Sequence, residues 1–201
     1  MEKLTKALLF LCFPVFLAAC QQLNASRVAV DYYAISGNST QVLDQQIRKK
    51  GPRISGGRHA VAVARIRIIP NIKYRPTGDG CRVSHAKVNV DARVTLPRWT
   101  GRENASKELG EAWDNIDRYT RMHEAVHVAI AFRFAKRMED ELSTLRSTQN
   151  CQALNRKAER IVARYLREHD ETQRQFDEDE QRKLLAFARS SKTDAASSSG
   201  G

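Results

Sequence analysis

Cysteine is sparse in this chain, four in 201 residues, and neither Cys81 nor Cys151 has a second cysteine nearby in sequence, which excludes a Cys-based zinc site. No internal repeat is evident, so a solenoid or other array is excluded. No Ser or Cys stands beside a neighbouring base, so a reaction through an acyl-enzyme is not expected. The charge-free apolar run Ala7–Ala19 is too short to span a bilayer. From Glu111 to Asn150 there is neither proline nor glycine, so nothing interrupts a helix there.

Histidine is also scarce, five in all, yet two of the five fall in the pentapeptide His123-Glu124-Ala125-Val126-His127. On a helix, residues i and i+4 share a face with Cβ atoms roughly 5–6 Å apart. Both imidazoles can therefore turn toward one metal ion at about 2.0–2.1 Å. Glu124 projects beside that ion, placed to take a proton from a zinc-bound water whose pKa the metal lowers to about 7.

The flanking residues predict the helix. Ser106 is a capping residue, Glu108 and Glu111 lie in the first turn, and Trp113, Ile116, Met122, Val126, Ile130, Phe134, Met138, Leu142 and Leu145 recur close to helical spacing. Lys136, Arg137, Glu139 and Asp140 read as the solvated side, so the histidines border a buried face.

Residues 1–19 read as an export signal of the lipoprotein type: Lys3 and Lys6 supply the charged start, Ala7–Ala19 the apolar stretch, and Leu17-Ala18-Ala19-Cys20 resembles the bacterial lipobox. Cys20 is then the acylated first residue of the mature chain. Removing Cys12 and lipidating Cys20 leaves Cys81 and Cys151 as the pair for a disulfide, as suits an oxidising envelope compartment. The expected localisation is the periplasmic side of the bacterial envelope, with the membrane engaged through the lipid.

Between the signal and a Ser-, Ala- and Gly-rich tail at 190–201, expected to be disordered, residues 20–189 suffice for one domain. Val28–Ile35 and His59–Ile69 are strand-like, and Gln41–Lys49 carries a short helical pattern before the Gly51-Pro52 break. Lys87–Leu96 alternates most regularly, with Val88, Val90, Ala92, Val94 and Leu96 on one face and Lys87, Asn89, Asp91, Arg93 and Thr95 on a wet one. Cys151 to about Ala188 reads as one long helix or two. The expected fold is α+β: a small antiparallel sheet, then the long metal helix and a C-terminal helix.

The net charge is +11, and loss of residues 1–19 removes two lysines and one glutamate, leaving +10. Nucleic acid is not the expected partner, because export removes that ligand and the cations are interspersed with acids along helices. A solvated surface, or attraction to anionic lipid and envelope polymers, explains the charge better. The acidic run Asp177–Glu180 lacks the spacing and glycine of an EF-hand.

Taken together, the chain resembles the bacterial domain-of-unknown-function 922 family, described as predicted secreted zinc-dependent proteases of HExxH, zincin-like type. The resemblance covers about Tyr33 to Asp177. It rests on Tyr33 with Gly37, the Gly51-Pro52 pair, Cys81, Leu96-Pro97 with Trp99, Trp113, and above all His123-Glu124 with His127. It implies Zn²⁺ at His123 and His127, Glu124 as general base, and a protein or peptide substrate. Members usually end with an aromatic-Asp pair followed by a Thr-x-His-Gly segment; here Phe176-Asp177 is followed by Arg182-Lys183.

A catalytic zinc normally holds three protein groups and a water. His169, on a helix that can fold back after a turn near Asn150, is the expected third ligand, with Glu159, Glu168 and Asp177 as alternatives. Tyr119 and Tyr165 are candidates to stabilise an oxyanion or simply to pack. His59 and His85 are expected to be structural or surface residues. The expected activity is that of a zinc metallopeptidase. The alternative from another class is a catalytically inactive envelope lipoprotein with a structural metal or a partner-binding role, and a zinc hydrolase of other envelope amides is a third.

Overall fold

A computed structural model describes residues 25–198. The expected signal, Cys20 and residues 199–201 lie outside the described residues. The elements run β1 (Arg27–Ile35), α1 (Thr40–Lys50), β2 (Val63–Thr77), β3 (Gly80–Trp99), α2 (Lys107–Ser143), β4 (Arg146–Ser147) and α3 (Cys151–Ser198).

β3 is the axis of a four-stranded sheet. Its inward residues Val88, Val90, Ala92, Val94 and Leu96 are all buried, as their alternation with polar neighbours requires. β2 and β3 form a long antiparallel hairpin from Val63 opposite Thr95 to Thr77 opposite Gly80, turned by Gly78 and Asp79. Gly80 has φ +141°, and a Cβ there would lie 2.0 Å from the carbonyl oxygen of Ser147, so only glycine lets β4 close against the hairpin. β2 continues past the expected stop at Ile69 through Pro70 and Pro76. As an edge strand it tolerates residues that lack a ladder donor.

The expectation of an antiparallel sheet holds for the β2–β3 and β3–β4 pairings. β1 departs from it and runs parallel to β3, with Arg27 opposite Asp91 and Ile35 opposite Trp99. A parallel neighbour needs a crossover connection, which α1 and β2 supply.

α2 begins where Ser106 accepts a hydrogen bond from the Leu109 amide at 3.3 Å. Asn150 starts α3 in the same way, accepting from the Ala153 amide at 2.8 Å. One face of α2 lies across the sheet, and Ile130, Ala131, Phe134, Ala135, Met138 and Leu142 join Val83, Val88 and Val90 of β3 and Leu154, Ala158 and Tyr165 of α3 in the main core. Each large side chain buried there contributes on the order of 1.5–3 kcal/mol. A second cluster of Ile35, Leu43, Trp99 and Trp113 seats α1 and the start of α2 against the end of the sheet. Cys81 and Cys151 are disulfide-bonded and tie the start of β3 to the start of α3.

α3 is one helix and runs through 190–198, part of the segment expected to be disordered. Alanine, lysine and serine there carry no helix breaker, and a growing helix adds residues more easily than it starts. Among the described residues, no helix is long and apolar enough to cross a membrane.

Candidate metal centre

The helices α2 and α3 pack antiparallel. Tyr119 near the start of α2 meets Glu180 near the end of α3, His127 meets Gln173, and Glu141 meets Arg164. The crossing brings Asp177 over the paired histidines. His123 Nε2 and His127 Nε2 are 3.1 Å apart, and Asp177 Oδ1 lies 3.3 Å from the first and 3.0 Å from the second. Tetrahedral bonds of about 2.0–2.1 Å put neighbouring ligand atoms roughly 3.3 Å apart. The spacing of the triangle thus matches three ligand atoms that would hold one zinc ion. Two imidazole nitrogens and one carboxylate oxygen are donors of the kind zinc takes, and among the described residues this is the group whose ligand atoms converge.

The sequence expectation for the third position differs from this arrangement. His169 is buried at 7 % exposure, packs edge-on against Phe134 at 5.8 Å, and lines the same cleft as the triangle without joining the group whose ligand atoms converge. It reaches the histidines through Gln173. The Gln173 amide nitrogen donates to the His127 carbonyl at 3.0 Å and lies 2.9 Å from His169 Nε2. With the amide so oriented, Gln173 Oε1 accepts from His127 Nδ1 at 2.6 Å. That leaves the Nε2 lone pair of His127 facing Asp177, the tautomer a metal ligand requires. His169 Nδ1 is in turn 3.0 Å from Asp170 Oδ1. His169 therefore contacts a neighbour of the triangle, and Asp177, one of the alternatives, is the third member of the converging group. Glu159 and Glu168 are elsewhere on α3, engaged by Asn155 and Arg164.

Glu124 is 6 % exposed and faces the same cleft. Burial pushes its carboxyl above the ordinary glutamate range, against the opposing pull of His127 and of a hydrogen bond from the backbone amide of Ala64 in β2. Burial pushes His123 below the ordinary imidazole range, and His127 adds to this while Asp177 and Glu180 oppose it. Both shifts favour neutral side chains, and neutral imidazole is the form that can ligate a metal.

Tyr119 stacks on His123 with ring centres 6.1 Å apart and donates to Glu180 Oε2 at 3.1 Å, so it borders the centre. Phe176 stacks on the other side of His123 at 4.9 Å. Tyr165 belongs to the core, with its hydroxyl donating to Glu141, and has no access to the centre. His59 Nδ1 lies 2.6 Å from the Gly51 carbonyl oxygen and fixes a turn, while His85 is on the surface.

Gln173 and Glu180 escaped sequence reasoning. Extending the buried stripe Leu154, Ala158 and Tyr165 by helical steps gives His169, Gln173, Phe176 with Asp177, and Glu180, so the signal was present as a continued face of α3.

The cleft holds about 420 Å³ between α2, α3 and the free edge of β2, with Ala62, Ala64 and Ile66 along its sheet side. Residues 30–183 match the model of a family described as "Bacterial protein of unknown function (DUF922)". No curated protein and no solved structure matches the chain.

Proposed function

The chain belongs to the DUF922 family, and from that premise and the geometry above we propose that it is a zinc-dependent metallopeptidase of the bacterial cell envelope, exported and held to the membrane by a lipid on Cys20. The observation that carries this reading is the convergence of His123, His127 and Asp177 on one point with Glu124 buried alongside.

A zinc ion there supplies a Lewis acid that polarises a carbonyl and acidifies water to a pKa of about 7. The residues do the rest. His123, His127 and Asp177 hold the ion, and Gln173 keeps His127 turned toward it. Glu124, with its proton affinity raised by burial, takes a proton from the attacking water and returns it to the leaving amine. Ala64 of β2 interacts with that carboxyl through its backbone, and Ala64 and Ile66 line the cleft. An extended peptide laid along this edge presents a backbone carbonyl to the centre.

The test is hydrolysis of a fluorescence-quenched peptide by the zinc-loaded protein and by Glu124→Gln. The variant is expected to keep its zinc and lose about 10³-fold or more in kcat/KM, a loss larger than general acid–base assistance alone commonly accounts for at the low end. Equal cleavage by both proteins contradicts the assignment of Glu124.

One observation favours a second reading, an envelope lipoprotein that holds a metal without hydrolysis. His123 Nδ1 is buried and has no hydrogen-bond partner among the described residues, whereas ligating histidines ordinarily donate from the second nitrogen. On that reading the zinc-loaded protein cleaves nothing, and Glu124→Gln is indistinguishable from the parent.

A further inference from the structure

Beyond Glu124 the cleft does not end. It opens along α2 into a trough of about 420 Å³ floored by Val61, Ala62, Ile116, Tyr119 and Leu184, which shares His123, Glu124 and Asp177 with the metal centre. Past Val61 and Ile116 it continues into a second hollow of about 390 Å³ between α1 and the start of α2, lined by Leu43, Ile47, Leu109 and Trp113. Ile116 and Leu184 are each half exposed and Tyr119 and Val61 more than a third, so a run of large apolar side chains faces water beside the centre. Contiguous apolar surface of this kind ordinarily marks a binding site.

Charge narrows the occupant. The chain is strongly basic, yet no Lys or Arg is among the residues lining either hollow; the acidic residues among them are Asp44, Glu124, Asp177 and Glu180. Glu180 is already engaged by Tyr119 and Lys183, and Asp44 by Arg48. Over Val61, Ile116 and Leu184, away from the metal centre, an acidic side chain loses its hydration with no Lys or Arg in the lining to replace it. An apolar side chain covers Ile116, Val61 and Leu184 at no such cost.

We propose that this trough is the specificity groove of the enzyme: it seats large aliphatic or aromatic side chains flanking the scissile bond of a polypeptide substrate and rejects acidic ones. The inference rests on the peptidase reading and deepens it by naming the substrate class. The continuity with the centre sets the position, because a side chain in the trough belongs to a residue within one or two of the carbonyl presented to His123, His127 and Asp177.

The experiment uses the zinc-loaded protein and a set of quenched peptides identical except for one flanking residue, placed in turn on each side of the central bond as Leu, Phe, Ala or Asp. On one side of the cut, Leu or Phe is expected to exceed Ala in kcat/KM by about tenfold or more, with Asp below Ala. In Ile116→Ser/Leu184→Ser the Leu-to-Ala ratio falls toward one; both residues are half exposed, so the core is untouched. Equal rates across the set, or an undiminished ratio in the double variant, overturns the inference while leaving the peptidase reading in place. A double variant that changes only the oligomeric state in gel filtration, with the ratio intact, assigns the trough to self-association and also overturns it. Zinc-loaded protein that cleaves none of the peptides, or any unfolded polypeptide, removes the peptidase reading itself.

Discussion

Glu124 shows most directly how one position couples stability to chemistry. A buried carboxylate flanked by Asp177 is disfavoured, and burial raises its pKa above the ordinary value of 4.5. The sign follows from linkage: the stability of the metal-free protein that depends on neutral Glu124 is complete below the ordinary range and is lost as pH rises through the raised value. His123 works from the other side. Its pKa is lowered, so the stability it contributes is present above the ordinary imidazole range and is lost as pH falls through the lowered value. Comparing Glu124→Gln with the parent isolates the first effect, because His123 is common to both. In urea unfolding with chelator, the variant is expected to be more stable at pH 7.5 by about 1 kcal/mol, with the difference shrinking toward pH 4.5. A variant less stable than the parent at pH 7.5 contradicts the account of a strained buried carboxyl.

At the scale of elements, what was legible in the sequence divides by the range of the physics involved. Local rules found α2 with its Ser106 cap, the alternating inward face of β3, and the histidine pair on one helical turn, because each depends on residues a few positions apart. The parallel placement of β1 and the third position of the triangle depend on how distant elements meet, whereas the hairpin at Gly78-Asp79 carries a local signal in Gly78-Asp79-Gly80 that escaped sequence reasoning. His169 and Asp177 both lie on the inward stripe of α3 and both line the cleft; only the crossing with α2, which pairs His127 with Gln173 and Tyr119 with Glu180, brings Asp177 Oδ1 to 3.0 Å from His127 Nε2 and leaves His169 against Gln173. The disulfide, expected from cysteine counting, is formed and pins that crossing near one end by holding the start of α3 to β3. It closes a loop between residues 70 apart in sequence, for which chain entropy gives about 4 kcal/mol. Thermal or urea unfolding of Cys81→Ser/Cys151→Ser is expected to show a loss of about 2–5 kcal/mol, and an unchanged midpoint refutes a stabilising role.

For the molecule as a whole, the charge is compatible with the export proposed above. Many of the cations are paired with acids along the sheet face and the helices, Arg27 with Asp91, Arg93 with Asp31, Arg121 with Asp117 and Arg164 with Glu141, so the net positive charge is spread over a solvated surface and leaves the cleft without a basic lining. No helix among the described residues is long and apolar enough to cross a membrane, and the attachment proposed above is through a lipid on Cys20. Cys20→Ser expressed in a bacterial host is expected to leave the membrane fraction on cell fractionation; a variant that sediments with membranes like the parent contradicts the lipid anchor.

The central claim is that His123, His127 and Asp177 grip one zinc ion. Competition titration with a chromogenic chelator tests it most directly. The account predicts one zinc per chain, an affinity at least about 100-fold weaker in Asp177→Ala, and a loss of only about 10-fold in His169→Ala, which acts through Gln173. Protein that takes up no zinc, or a larger loss in His169→Ala than in Asp177→Ala, contradicts it.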